Sequence, residues 1–221
     1  MTRMAESPPA RLGSPERVVF FTDAVVAIAM TLLILPLLEH VSAAGAEGLT
    51  AAEVLARNGD GLWVFVFSFV MIAMFWRMHH DLFEHVALVD ERLVWVNNAW
   101  MLTIIWMPVS LSLVNAVPAD TAQKAVYVGS MLACTLVMVG MQLVVRRSPA
   151  MWADGQPPRN GGLAATLALA LLLTVVLVVA LLVPGGQGYL AMFLMALTAP
   201  LQKVISRRLP AVDSAEPEGI R

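Results

Sequence analysis

The sequence predicts an all-α protein that crosses a lipid bilayer six times, and three observations carry that reading. First, 59% of its 221 residues are hydrophobic and only 14% are charged, with a mean hydropathy of +0.76. Soluble domains run near 45–50% apolar and about 25% charged, so this apolar excess is too large for one buried core and implies lipid as a partner. Second, the apolar residues fall into six runs close to the roughly 17–25 residues that a helix needs to span a bilayer core. Third, the cations are segregated. With the N-terminus placed inside, Arg3, Arg11, Arg17, Arg77, Arg92, Arg146, Arg147, Arg159, Lys203, Arg207, Arg208 and Arg221 face the cytoplasm, and only Arg57 and Lys124 face out. That split obeys the positive-inside rule, and an odd number of spans would spoil it. A net charge of -2 leaves no footprint for nucleic acid.

The first span covers 18–38, and its entry is built for a helix. Ser14 is placed to cap, Pro15 fits the first helical position, and Glu16 suits the positive dipole end. No cleavage site precedes it, so the run is expected to stay in the chain. An outer connection, 39–61, is rich in Ala and Gly and reads as flexible. The second span, 62–78, is short; the third and fourth cover 93–117 and 125–145. A Pro- and Gly-containing inner loop, 148–162, leads to the purest run, 163–183, which holds no charge. A tight turn at 184–188 then precedes the last span, 189–205. Pro108 and Pro200 are expected to interrupt the third and sixth spans. The runs are continuous rather than alternating, which argues against a barrel. The resulting division is a cytoplasmic tail at 1–17, a membrane domain at 18–206 and a second cytoplasmic tail at 207–221, with both tails expected to be disordered. The two halves show no repeat. The single cysteine, Cys134, lies within a span and forms no intrachain disulfide.

Polar residues concentrate in the first three spans, all near their inner ends. They are Arg17, Thr22 and Asp23; Trp76, Arg77, His79, His80 and Asp81; and Arg92, Asn97 and Asn98. A carboxylate such as Asp23 costs at least about 2.5–3.5 kcal/mol at a helix centre on insertion scales, so it needs a partner or water. Arg17 and Asp23 are expected to be tied to imidazole and amide groups in one polar layer, either to fix helix packing or to serve conduction. Ala24, Ile28, Thr31 and Leu35 recur at steps of four, three and four and so share one helical face, which read alone is an ordinary packing face. The four histidines are too few for a membrane metal enzyme, no activated nucleophile is evident, and no cofactor is implied. His79 or His80 titrating near neutrality would give pH sensitivity. The six tryptophans read mostly as interfacial anchors.

Arg17 followed by Phe21-Thr22-Asp23, then Ala27-Ile28-Ala29-Met30-Thr31-Leu32-Leu33, resembles the lysosomal and bacterial potassium channels of the transmembrane protein 175 family. Their first helix carries Arg-x-x-x-Phe-Ser-Asp and then a run like Ala-Ile-x-x-Thr-Leu-Leu. Trp76-x-x-His79-His80, Trp95-x-Asn97 and Pro108 are similar to the family's later motifs. Thr22 replaces the family serine but keeps its hydroxyl, and Ala24 stands where glycine is common. The resemblance implies a homotetramer in a bacterial plasma membrane, with the first helix of each copy lining a central pore. It implies a narrow ring at Ile28, a threonine layer at Thr31 and a further apolar ring at Leu35, in place of the Thr-Val-Gly-Tyr-Gly carbonyl filter that this sequence also lacks. Potassium is then the permeant ion, with modest selectivity over sodium. It places Trp76 in the polar layer. A proton-permeable channel, or a proton-coupled transporter using Asp23, are the alternatives; the missing repeat argues against the transporter.

Overall fold

This computed structural model describes residues 13–209. The cations at 3, 11 and 221 and most of both expected tails lie outside the described residues.

Six stretches among the described residues are long and apolar enough to span a membrane, in the order the hydropathy predicts. The first is not one uniform helix. α1 runs Pro15–Leu32 and α2 runs Leu35–Ala46, with the break at Leu33 and Ile34. Its cause is Pro36, which has no N–H to return to the preceding turn and whose ring crowds the carbonyl there. Both joint residues keep right-handed helical angles, so the chain continues in the same general direction. Together α1 and α2 reach 32 residues, beyond the roughly 20 that a bilayer core requires. α2 therefore takes up residues expected in the outer loop. Most of the rest of that loop is helical too, where a flexible connection was expected. α3 spans Ala51–Arg57 and opens on a capping box, in which Glu53 N donates to Thr50 Oγ1 while Thr50 N donates to the Glu53 carboxylate at 2.8 Å.

α4 (Gly59–Phe83), α5 (Glu91–Ala116), α6 (Thr121–Arg146) and α7 (Asn160–Leu182) form the body of the bundle. Asp90 and Asp120 cap α5 and α6 by accepting from Leu93 N and Gln123 N. α5 runs unbroken through Pro108, against the interruption expected there. Ser14 precedes α1 with extended backbone and Pro15 at the first helical position, but its side chain makes no capping bond. The last span starts as a 3₁₀ helix over Gly185–Leu197 and becomes α8 over Thr198–Ser206. Pro200 lies in the first turn of α8, where a missing N–H costs little. Thirteen residues is long for a 3₁₀ helix. Its seat on α7 is tight: a Cβ on Gly188 would fall 2.9 Å from Ala180 Cα.

The core lies between α4, α5, α6 and α7, with Ile72, Leu93, Trp100, Ile104, Val128, Met131 and Met141 buried. Ser68 and Tyr127 share a hydrogen bond of 2.8 Å between α4 and α6. The ends of α4 and α6 and the starts of α1, α5 and α7 gather at one end of the bundle. Two short antiparallel bridges knit the loops there: Gly13 with Val89, and Val86 with Trp152. Trp152 is buried and donates its indole N–H to Val145 O at 2.8 Å. Trp152 and Trp100 are therefore core residues, not the interfacial anchors their sequence positions suggest.

Candidate functional site

α1 carries two opposite stripes. Thr22, Val26, Ala29 and Leu33 recur at steps of four, three and four and are buried, where α1 packs against α5 and α4. Ala24, Ile28 and Thr31 lie two positions further on, about 200° around a helix with 3.6 residues per turn, and are exposed. Ile28 is 60% exposed and Phe21 63%, which is unusual for large apolar side chains unless lipid or another chain covers them. Leu35 is 48% exposed, but it lies on α2, past the break, rather than on the first helix itself. The Thr31 hydroxyl donates to Ile28 O at 2.7 Å. Its proton is thereby committed to the helix backbone, and the oxygen keeps lone pairs for the open side.

Behind this face lies the polar layer. Asn97 Nδ2 donates to Thr22 Oγ1 at 2.9 Å, and Asn97 Oδ1 lies 2.7 Å from His79 Nε2. The amide oxygen only accepts, so Nε2 must carry the proton. One side chain from each of α1, α5 and α4 is thus joined in a row, and all three are buried. The imidazole of His79 is stacked between Phe83, at 4.5 Å, and Trp100, at 4.7 Å. Those two planes fix the ring's orientation and keep water from competing for its hydrogen bond. Phe83 is not singled out by the sequence, and Trp100 reads there only as an interfacial anchor. Spacing held the signal, since Phe83 is one helical turn beyond His79 and Trp100 one beyond Asn97.

A second contact ties α1 to α4. Trp76 Nε1 donates to Asp23 Oδ1 at 2.8 Å. The Trp76 ring lies 5.6 Å from that of His80, whose Nε2 is 3.9 Å from Glu84 Oε1. The partners expected from sequence are therefore rearranged. The amide serves Thr22 and the imidazole serves the amide, neither bonding Asp23 or Arg17, and the carboxylate takes the indole N–H. His79 joins the network and His80 lies beside it. Arg17 and Phe21 are exposed, and among the described residues the Arg17 side chain makes no hydrogen bond or ion pair. The physical reason is reach: Thr22 is on the buried stripe, whereas Asp23 is half-buried at its margin, where α4 presents an indole.

A family model described as endosomal/lysosomal potassium channel TMEM175 matches residues 17–108, the stretch that contains both stripes and every member of the polar layer. A potassium channel of Streptomyces collinus is 36% identical over 143 residues, 62% of this chain and 62% of that one. Over this stretch the chain is similar to the TMEM175 family. The endosomal/lysosomal proton channel TMEM175 of Danio rerio is 28% identical over 126 residues, which make up 57% of this chain and 23% of that relative. The chain thus matches less than two thirds of the length of either relative. The TMEM175 fold is shown independently: the crystal structure of a lysosomal potassium-selective channel TMEM175 homolog from Chamaesiphon minutus superposes with a TM-score of 0.66. That likeness covers 86% of this chain and 97% of the other at 22% identity. With six apolar spans and this fold the protein is a multi-pass membrane protein, and its polar layer falls within the stretch that the family model matches.

Proposed function

We propose that this protein is a cation channel that passes potassium modestly better than sodium, assembled as a homotetramer around α1. The observation that carries the reading is the bare face of α1. One stripe is satisfied inside the subunit, while Ala24, Ile28 and Thr31 have nothing within it to cover them. Four copies of Ile28 around an axis make an apolar constriction, which gates by dewetting. Four Thr31 oxygens next to it replace part of an ion's hydration shell and favour the more easily dehydrated potassium. Hydroxyls are more mobile than a carbonyl cage, so the selectivity is modest. Leu35 adds an apolar ring beyond the break. The names of the relatives support the reading: a potassium channel in Streptomyces collinus and a potassium-selective homolog in Chamaesiphon minutus. Both termini face the cytoplasm, on the strength of the cation split, and the bacterial relatives support a bacterial plasma membrane.

Planar bilayers with potassium on one side and sodium on the other test this. Wild type should reverse on the potassium-selective side of zero. Thr31→Ala should move the reversal toward zero, and Ile28→Asn should enlarge the unitary current by wetting the constriction. Reversal and conductance that ignore both substitutions would remove the pore from α1. A second reading, proton permeation, is favoured by the proton-channel name of the zebrafish relative and by a half-buried carboxylate, Asp23, on the same helix. Currents that follow a pH gradient without potassium, and that Asp23→Asn abolishes, would establish it.

A further inference from the structure

One polar cavity in the described part of the molecule takes no part in the polar layer. A space of about 570 Å³ opens between the end of α4, the end of α6, the start of α7 and α8. These are the ends of membrane spans, at the depth of lipid headgroups. Its lining mixes charges in an unusual way: Arg77, Arg146 and Arg159 stand with Asp81 and Glu84 around the buried Gln142.

Each group's commitments show what is missing. Arg146 is held by Pro158 O at 3.2 Å and Asn160 Oδ1 at 2.7 Å, which pins it beside the first turn of α7. Among the described residues the side chains of Arg77 and Arg159 have no hydrogen-bond or ion-pair partner. The positive end of the 23-residue α7 opens at the same place. Guanidinium groups and a helix N-terminus together recognise a phosphate. Gln142 donates Nε2 to Thr166 Oγ1 at 2.9 Å, but its buried Oε1 has no partner. That oxygen accepts and cannot donate, so a bare anion does not satisfy it. With the Asp81 and Glu84 carboxylates it calls for a group rich in N–H donors and positively charged.

We infer that this cavity binds the phosphoethanolamine headgroup of a membrane phospholipid, with the phosphate toward Arg77, Arg146 and Arg159 and the ammonium toward Gln142, Asp81 and Glu84. The inference does not rest on the channel reading. A primary ammonium fits where a trimethylammonium does not, because only the first has N–H to give.

The full chain, purified in detergent, is titrated with dioctanoyl phosphatidylethanolamine, phosphatidylcholine and phosphatidylglycerol, and with soluble phosphoethanolamine, and bound lipid is counted by native mass spectrometry. Phosphatidylethanolamine should bind about tenfold more tightly than phosphatidylcholine, the difference that one charge-assisted hydrogen bond makes. Asp81→Asn with Glu84→Gln, both exposed in this chain, should erase that preference. Arg159→Ala should weaken both lipids alike. Equal affinity for the two lipids, or a preference untouched by the carboxamide pair, would overturn the assignment. Tighter phosphatidylglycerol would make the cavity an anion site and overturn the ammonium half. Soluble phosphoethanolamine binding as well as the lipid would overturn the membrane source.

Discussion

At Thr22, the hydroxyl that stands in for the family serine accepts the Asn97 amide inside a buried row ending at His79. Thr22→Val keeps the shape and removes the acceptor. In a membrane the loss is expected to be about 0.6–2 kcal/mol, because helices separated in lipid still find other polar partners. A lower midpoint in detergent thermal unfolding would show it, and Thr22→Ser should restore most of the loss. Asp23 behaves differently. Asp23→Asn keeps an oxygen for Trp76 Nε1, so stability should be nearly unchanged, whereas Trp76→Phe removes the donor and should destabilise. Equal losses from the two would mean that the charge, not the hydrogen bond, holds α1 to α4. These members of the layer were legible in the sequence as a set, because polar residues near the ends of three spans have to meet. Their pairing was not. Whether Asn97 reaches Thr22 or Asp23 depends on how α1 is rotated against α5, and two adjacent positions on a helix differ by about 100°.

At the scale of elements, hydropathy located all six spans because lipid demands length and apolarity, both of which are local properties. It misjudged what lies inside and between them. The break at Leu33 follows from Pro36, and the order of the outer loop from the Thr50–Glu53 capping box; both are short-range signals that a reading based on long apolar runs passes over. The 3₁₀ character of 185–197 has no such signal. It depends on the seat of Gly188 against Ala180, a contact made only once α7 is in place. Gly188→Ala should therefore cost about 1–3 kcal/mol of stability, as overpacking does, since the atoms it meets are backbone and cannot swing away. Gly186→Ala meets nothing within 4 Å and is the matched control. A thermal midpoint lowered by the first and unmoved by the second is the expected result; equal midpoints would mean that the 3₁₀ helix is not held by this approach.

For the whole molecule, the question is which exposed apolar surface meets lipid and which meets another copy. α7 exposes Leu171, at 51%, and Val178, at 50%, nearly as much as α1 exposes Ile28. Exposure in one subunit therefore does not separate them, but composition does. From Leu171 onward the exposed face of α7 is mostly Leu and Val around a single Thr174, the helix contains no charge, and among the described residues no buried polar layer lies behind that face, which suits acyl chains. α1 instead presents Ala24 and Thr31, small and hydroxylic residues of the sort that line helix–helix contacts and aqueous paths, next to a buried polar layer. Cysteine substitution turns this into a measurement, because the native Cys134 is fully buried and silent. In the proposed tetramer, Ile28→Cys would bring thiols of different copies toward the roughly 4–7 Å Cα separation that a disulfide spans. Mild oxidation in liposomes should then give covalent dimers within the assembly, and the current should fall as the constriction is bridged. Leu171→Cys, on the lipid face, should remain monomeric under the same treatment. Crosslinking at Leu171 but not at Ile28 would transfer the subunit contact to α7 and leave α1 facing lipid, in which case the threonine oxygens would have no ion to meet.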